Sequence, residues 1–228
     1  MKFKKLKLFT DSINSELNFY TKILGFRLVK QTDISFTIKA GWSELTFEKS
    51  NIKHMYHYCF LLPCNQLREA LMWMENKGKI LSIEKNRYVE HFESWNTDSF
   101  YFNDASGNLA EFIVRHNLEN ESDIGFSIDS IRGINEMGLP TRNIDKLNKQ
   151  LEEELNTKFW KGDSHRFGTN GSEEGIWLLP NFEIKKNWFP TSLEIRPEQF
   201  EATIAVHDDI YNIAVSYTHL TLPTILRV

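Results

Sequence analysis

His57 and Glu111 are the residues of this sequence best suited to chemistry. His57 opens the run HYCFLL and Glu111 sits inside NLAEFIVRH, and both runs read as β-strands. Side chains alternate between the two faces of a strand. In the first run Tyr58, Phe60 and Leu62 make the more apolar face, so His57, Cys59 and Leu61 point the other way. In the second run Ala110, Phe112 and Val114 make the packing face, which leaves Leu109, Glu111, Ile113 and Arg115 opposite. An imidazole nitrogen and a carboxylate oxygen on such strands have two uses. They hold a divalent metal with positions left for substrate oxygens, or they hydrogen-bond to each other with no metal. On residue types alone the hydrogen bond is the simpler account.

Other candidates are weaker. Trp95 and Asn96, in FESWNTDSF, precede a strand, where Trp95 stacks on a ligand or packs at a rim and Asn96 orients a ligand. Arg115, on the face that carries Glu111, is a further substrate-binding candidate. His54 reads as solvated, and His91, His116, His165 and His207 have no spaced partner and read as surface. Lys5, Lys7, Glu44 and Glu48 alternate along strands and either pair across a sheet or bind an anion. The sequence has no phosphate loop, no nucleophile elbow and no zinc-ribbon spacing. Its two cysteines, Cys59 and Cys64, flank a proline without metal spacing, which points to a reducing, cytoplasmic compartment.

The elements that must position these residues repeat. A strand from Phe3 to Thr10 is followed by a cap at Asp11–Ser12, a helix with Ile13, Leu17, Tyr20 and Leu24 on one face, and Gly25 as its stop. Strands over Arg27–Gln31, Ile34–Lys39 and Glu44–Glu48 come next. A second copy begins at Tyr56, with Leu67, Ala70, Leu71 and Met74 on its helix and strands at Ile80–Glu84, Ser99–Asn103 and Leu109–Val114. A third begins at Ile134, with Asn143 as cap, Ile144, Leu147, Leu151 and Leu155 as the helix stripe, and strands at Lys158–Trp160, His165–Gly168 and Ile176–Leu179. Phe200–Val206 is a further strand with no helix before it. The domain reading is therefore paired βαβββ modules over 1–116 (1–52 and 53–116), a linker over 117–132, and a third, divergent module over 133–214. The final stretch, 215–228 (VSYTHLTLPTILRV), reads as a translated sequencing adapter, a non-native tail expected to pack on nothing.

Composition sets the limits. The chain has 228 residues, 41% hydrophobic and 25% charged, which suits a globular protein with a sizeable core. A formal net charge of −4 argues against a general nucleic-acid binder. No apolar run is long enough to span a bilayer, and the basic start MKFKKLKLFTDS lacks the apolar stretch of a signal peptide.

The repeat resembles the vicinal oxygen chelate superfamily, which includes glyoxalase I, extradiol dioxygenases and bleomycin-resistance proteins. LFTDSINSELNFYTKILGF is similar to its opening strand, cap and helix. YFNDASGNLAEFI is similar to its closing hairpin, and HYCFLLP to the start of a second module. EMGLPTRN and EEGIWLLP carry the resemblance more faintly into the third. The resemblance implies an α+β fold, in which repeated βαβββ modules curl mixed sheets into an open cup with the helices outside. It implies that His57 and Glu111 stand at metal-ligand positions. Glu136 stands where an opening-strand ligand often stands, as a third ligand or as a general base, or else as an edge-strand charge or a partner of Arg115 or Arg142. The four-ligand site of glyoxalase I would need two more ligands from the first module, where Lys5 and Thr46 stand instead. A lysine repels a cation, so this departure argues against that site.

The functional expectation is a small-molecule binder with a possible divalent metal (Fe, Zn, Ni or Mn), acting as a lyase, isomerase or dioxygenase if metal binds. The alternative is a metal-free, drug-sequestering type of binding protein, and a third is an interaction protein whose third module covers the cup. Neither nucleic acid nor membrane is expected as a partner, and a homodimer is compatible with the sequence.

Overall fold

The computed structural model describes residues 1–216 and 223–227. The first module comprises β1 (Lys2–Thr10), α1 (Ile13–Asn18, widening into a π turn over Phe19–Ile23), β2 (Arg27–Gln31), β3 (Ser35–Ala40) and β4 (Ser43–Lys49). The second comprises β5 (His57–Leu61), α2 (Leu67–Glu75), β6 (Glu90–Phe92), β7 (Thr97–Asn103) and β8 (Leu109–Arg115). The third comprises β9 (Gly133–Gly138), α3 (Ile144–Leu155), β10 (Phe159–Gly162), β11 (Phe167–Ser172) and β12 (Gly175–Pro180). Then come β13 (Phe200–Val206), β14 (Asp209–Val215) and β15 (Thr224–Arg227). Ile80–Glu84 is not a strand; Ile80 forms an isolated bridge to Phe102 and Glu84 one to Arg87. Ser12 precedes α1 but makes no side-chain cap bond, whereas the Asn143 side chain accepts from the Lys146 amide at 2.8 Å.

The modules combine differently from the sequence expectation. One sheet runs β15-β14-β13-β1-β4-β3-β2, and the other runs β10-β11-β12-β9-β5-β8-β7-β6. The second module shares its sheet with the third, and the first module with β13, β14 and β15. The reason is burial. Every residue of β9 is buried, so this strand must be interior, and it lies between β5 and β12. β13 alternates instead, and its apolar residues Phe200, Ala202, Ile204 and Val206 join the core beside Leu6 and Leu8 of β1.

The helix-bearing faces of both sheets meet in one core, where Phe3 packs edge-on against Trp177 with centroids 4.7 Å apart and Phe26 lies 5.5 Å from Phe60. The two sheets are also pinned at the start of β9. A Cβ on Gly133 would fall 2.3 Å from the Trp42 indole, so only glycine admits that contact. Ser43 donates to the Phe3 carbonyl at 2.6 Å and accepts from the Ile134 amide at 2.9 Å. Residues 117–132 form a strap rather than a free linker, with Asn120 accepting from the Cys64 amide and donating to the Leu62 carbonyl.

The expectation that residues 215–228 touch nothing is corrected for the described part. Val215 closes β14, is buried and lies opposite Phe200. β15 pairs along β14, and Ile225 packs on the core. Apolar alternation continues through Ile213 and Val215, and the β-branched residues of TILR suit the open edge they occupy. Tyr217–Leu222 and Val228 lie outside the described residues. Among the described residues no helix is long and apolar enough to cross a membrane.

Candidate metal centre

Three adjacent strands, β8, β5 and β9, carry Glu111, His57 and Glu136 to one point on the face away from the helices. Each offers a ligand atom, and these atoms all lie within 4.8 Å of one another. All three side chains are buried. The register expected from alternation holds in packing terms: Tyr58, Phe60 and Leu62 lie in the main core, while Cys59, Leu61 and Ile113 form a separate cluster.

The imidazole is oriented from behind. His57 Nδ1 lies 3.0 Å from the Leu109 carbonyl, which can only accept, so Nδ1 carries the proton. Its Nε2 lone pair therefore faces Glu111 Oε2, 3.4 Å away. The ring rests on Trp188 with centroids 4.7 Å apart, and Gly138 makes room for that indole. Burial drives the His57 pKa down to about 4, with Lys185 acting in the same direction. Burial, then the neighbouring Glu136 charge, pushes Glu111 up to about 8. Burial also raises Glu136, against the pull of Arg115. At neutral pH without metal the imidazole is neutral and Glu111 holds a proton.

Arg115 is fully buried. Its Nη2 donates to Glu136 Oε1 and its Nε to Asn135 Oδ1 at 2.8 Å, while the guanidinium lies 5.2 Å from the centroid of Trp160. The alternative partner weighed for Glu136, Arg142, pairs instead with Glu183 at 3.0 Å. Trp95 lines the cavity above the three ligand atoms. Asn96 does not: it has a left-handed backbone and donates to Asn117 Oδ1 at 2.6 Å. His54, expected in solvent, is buried with Nδ1 2.9 Å from Glu198. His91 and His116 lack no partner, since both meet Asp98.

The shared sheet also reveals a fourth position. His57 lies opposite Leu109, and Glu111 is two residues further along β8. Glu136 lies opposite Ile176, so the equivalent residue two further along β12 is Leu178. An apolar side chain stands where a fourth ligand would be, and Leu178 lines the cavity. Lys5 and Thr46 stand on the other sheet, so the lysine does not oppose a cation here. EEGIWLLP, aligned with GNLAEFI, carried the signal for Leu178 once the third module was paired with the second.

The cavity holds about 270 Å³, and its walls include Phe92, Tyr101, Phe167, Trp188 and Phe189, with Lys185 and Arg166 as cations. Sequence reasoning missed these residues; the only signal was the aromatic cluster NWFP after the third module.

Residues 2–112 match the family model of the Glyoxalase/Bleomycin resistance protein/Dioxygenase superfamily. No curated protein matches the chain in sequence. Among solved structures, the "putative dioxygenase" of Bacillus subtilis subsp. subtilis str. 168 has 14% identity and a TM-score of 0.62, covering 100% of this chain and 84% of that one. A glyoxalase I mutant from Zea mays has 10% identity and a TM-score of 0.58, covering 99% and 93%. A second mutant of the same maize enzyme has 11% identity and a TM-score of 0.57, covering 99% and 92%. At these identities the likeness is one of fold.

Proposed function

Residues 2–112 belong to the Glyoxalase/Bleomycin resistance protein/Dioxygenase superfamily, and from that premise we propose that the cup formed by the second and third modules binds a divalent metal and a small molecule with two neighbouring oxygens. The observation that carries this reading is the convergence of one imidazole and two carboxylates, buried and within 4.8 Å, with the imidazole lone pair turned inward. The donor set fits a first-row divalent ion: imidazole suits Zn, Fe and Ni, and carboxylate suits Mn. When bound, the metal supplies Lewis-acid polarisation of the substrate oxygens, the chemistry common to lyase, isomerase and dioxygenase sites of this type.

The chain's own residues do the rest. The Leu109 carbonyl fixes the His57 tautomer, a common support for a metal-bound imidazole. Arg115 donates to Glu136 and pulls against the upward push of burial on that carboxyl, and this pairing favours a ligand role over that of general base. Leu178 contributes no donor, so one side of the site stays open for a bidentate substrate. Trp188 and the aromatic walls limit water. A three-ligand set with an open side favours dioxygenase-like architecture over the four-ligand glyoxalase I site.

One observation favours the metal-free reading. Without metal the site is already balanced, because Arg115 pairs with Glu136 and Glu111 holds a proton. Calorimetric titration of chelator-treated protein with Mn(II), Zn(II) and Ni(II), and with Fe(II) under anaerobic conditions, decides between them. One ion per chain is expected, with uptake lost in His57→Ala. If no ion binds, or His57→Ala binds it equally well, the cup is a metal-free binding site.

A further inference from the structure

The cavity above the ligand atoms contains two cations that form no ion pair with a carboxylate among the described residues. Lys185 and Arg166 both line it, Lys185 from the loop that follows β12 and Arg166 from the turn before β11. Lys185 is half buried, and among the described residues its Nζ donates to the Asn187 carbonyl at 3.0 Å and lies 5.8 Å from the centroid of Phe167. Burial lowers the Lys185 pKa, and Arg166, a like charge, acts in the same direction. Among the described residues no carboxylate lies within ion-pair distance of either. The nearby acids are engaged elsewhere: Glu136 pairs with Arg115, Glu111 lies against His57, Glu183 pairs with Arg142, and Asp163 accepts from the His165 and Arg166 amides. Two cations brought together at a cavity wall without a counter-ion are unfavourable in the free protein. They become favourable when a ligand supplies the negative charge.

The remaining wall is aromatic. Trp95 lies 6.4 Å from Phe167 with rings nearly parallel, and Tyr101 meets Phe189 edge-on at 5.9 Å. Flat apolar faces select a flat apolar partner, and a cavity of about 270 Å³ limits it to a small one.

We propose that the ligand of this cup is a small aryl carboxylate, with its ring between the aromatic walls and its acid group on Lys185 and Arg166. This rests on the cup being the ligand site of the preceding section, and it fixes a specificity that the three ligand residues do not. Lys185 is a specificity-determining residue: it recognises the acid and takes no part in holding the metal.

Salicylate and its neutral counterpart salicylamide are the probes. Binding is followed through quenching of tryptophan fluorescence, since Trp95 and Trp188 line the cavity, and is checked by calorimetry. The protein is tested both chelator-treated and Mn(II)-saturated. Salicylate should bind about tenfold or more tightly than salicylamide, the usual scale for a hydrogen bond to a charged group. In Lys185→Met the preference should fall to within about twofold, with Arg166→Gln intermediate. Equal binding of the two probes, an unchanged preference in Lys185→Met, or no salicylate binding in either form would overturn the proposal. Metal uptake measured on the same samples is scored separately. A preference for salicylate without metal uptake removes the metal reading and leaves this one standing, and the converse result does the reverse.

Discussion

The molecule presents two sheet faces away from its helices, built from the same module and put to different use. On the first sheet the positions equivalent to His57 and Glu111 are Lys5 and Thr46. That face is open. Lys5 is exposed, Lys7 bridges Glu201 at 2.7 Å and Glu48 at 3.5 Å, and Thr46 shares a hydrogen bond with Thr37. On the second sheet the chain after β12 folds back over the face and lays Trp188 on His57. The cover changes the physics more than the residue types do. Charges on the open face pair in water and are screened by it, while the covered carboxylates are forced to share one proton and one arginine.

The largest effect should come from breaking the covered pair. Arg115→Met strands Glu136 in the interior and should cost about 3–5 kcal/mol of folding stability, measured by urea unfolding of metal-free protein. Adding Glu136→Gln to that variant should recover much of the loss. A single-variant cost below about 1 kcal/mol, the scale of an exposed pair, would place the two faces in the same electrostatic class.

The next effect concerns pH. An imidazole at its usual pKa of about 6.5 would make metal affinity track that proton. The buried site changes which proton competes. His57 titrates only near 4, whereas Glu111 stays protonated up to about 8. A ligand must lose its proton to bind metal. Calorimetric affinity should therefore rise by up to about tenfold per pH unit from pH 6 towards 8 and level off above. A plateau already reached at pH 7 would contradict this assignment. The same group sets the stability of the metal-free protein. Its folded pKa lies above the unfolded value of 4.5, so its contribution is fully present below pH 4.5 and is lost as pH rises through about 8.

The smallest effect belongs to the open face. Lys7→Met removes a partner shared by Glu48 and Glu201 and should change stability by less than about 1 kcal/mol, less still in high salt. A larger loss by the same unfolding measurement would show that the open face is also electrostatically coupled.

Much of the site was legible in the sequence because strand alternation is a local property. The face shared by His57, Cys59, Glu111 and Arg115 followed from period two, and the α3 stripe of Ile144, Leu147, Leu151 and Leu155 followed from helical period, all four of them buried. Asn96 was misplaced because a left-handed residue at the end of a short helical turn aims its side chain away from the strand that follows. His54 was misplaced because its partner, Glu198, is 144 residues away.

What the sequence by itself determined is the body of the module: its three helices, the strands that carry the ligand residues, the faces of those side chains and which residues can ligate, but not β6, β14 or β15. These depend on neighbours within a few positions. What only the tertiary structure decided is which modules share a sheet. That choice brings Glu136 to His57, sends Lys5 to the other face, puts Leu178 at the fourth position and lays Lys185 and Trp188 over the cup. It turns on the burial of whole strands such as β9 and on contacts such as Gly133 against Trp42, between segments about ninety residues apart. No local pattern records such a contact, because it is settled by competition among all the faces that must be buried at once.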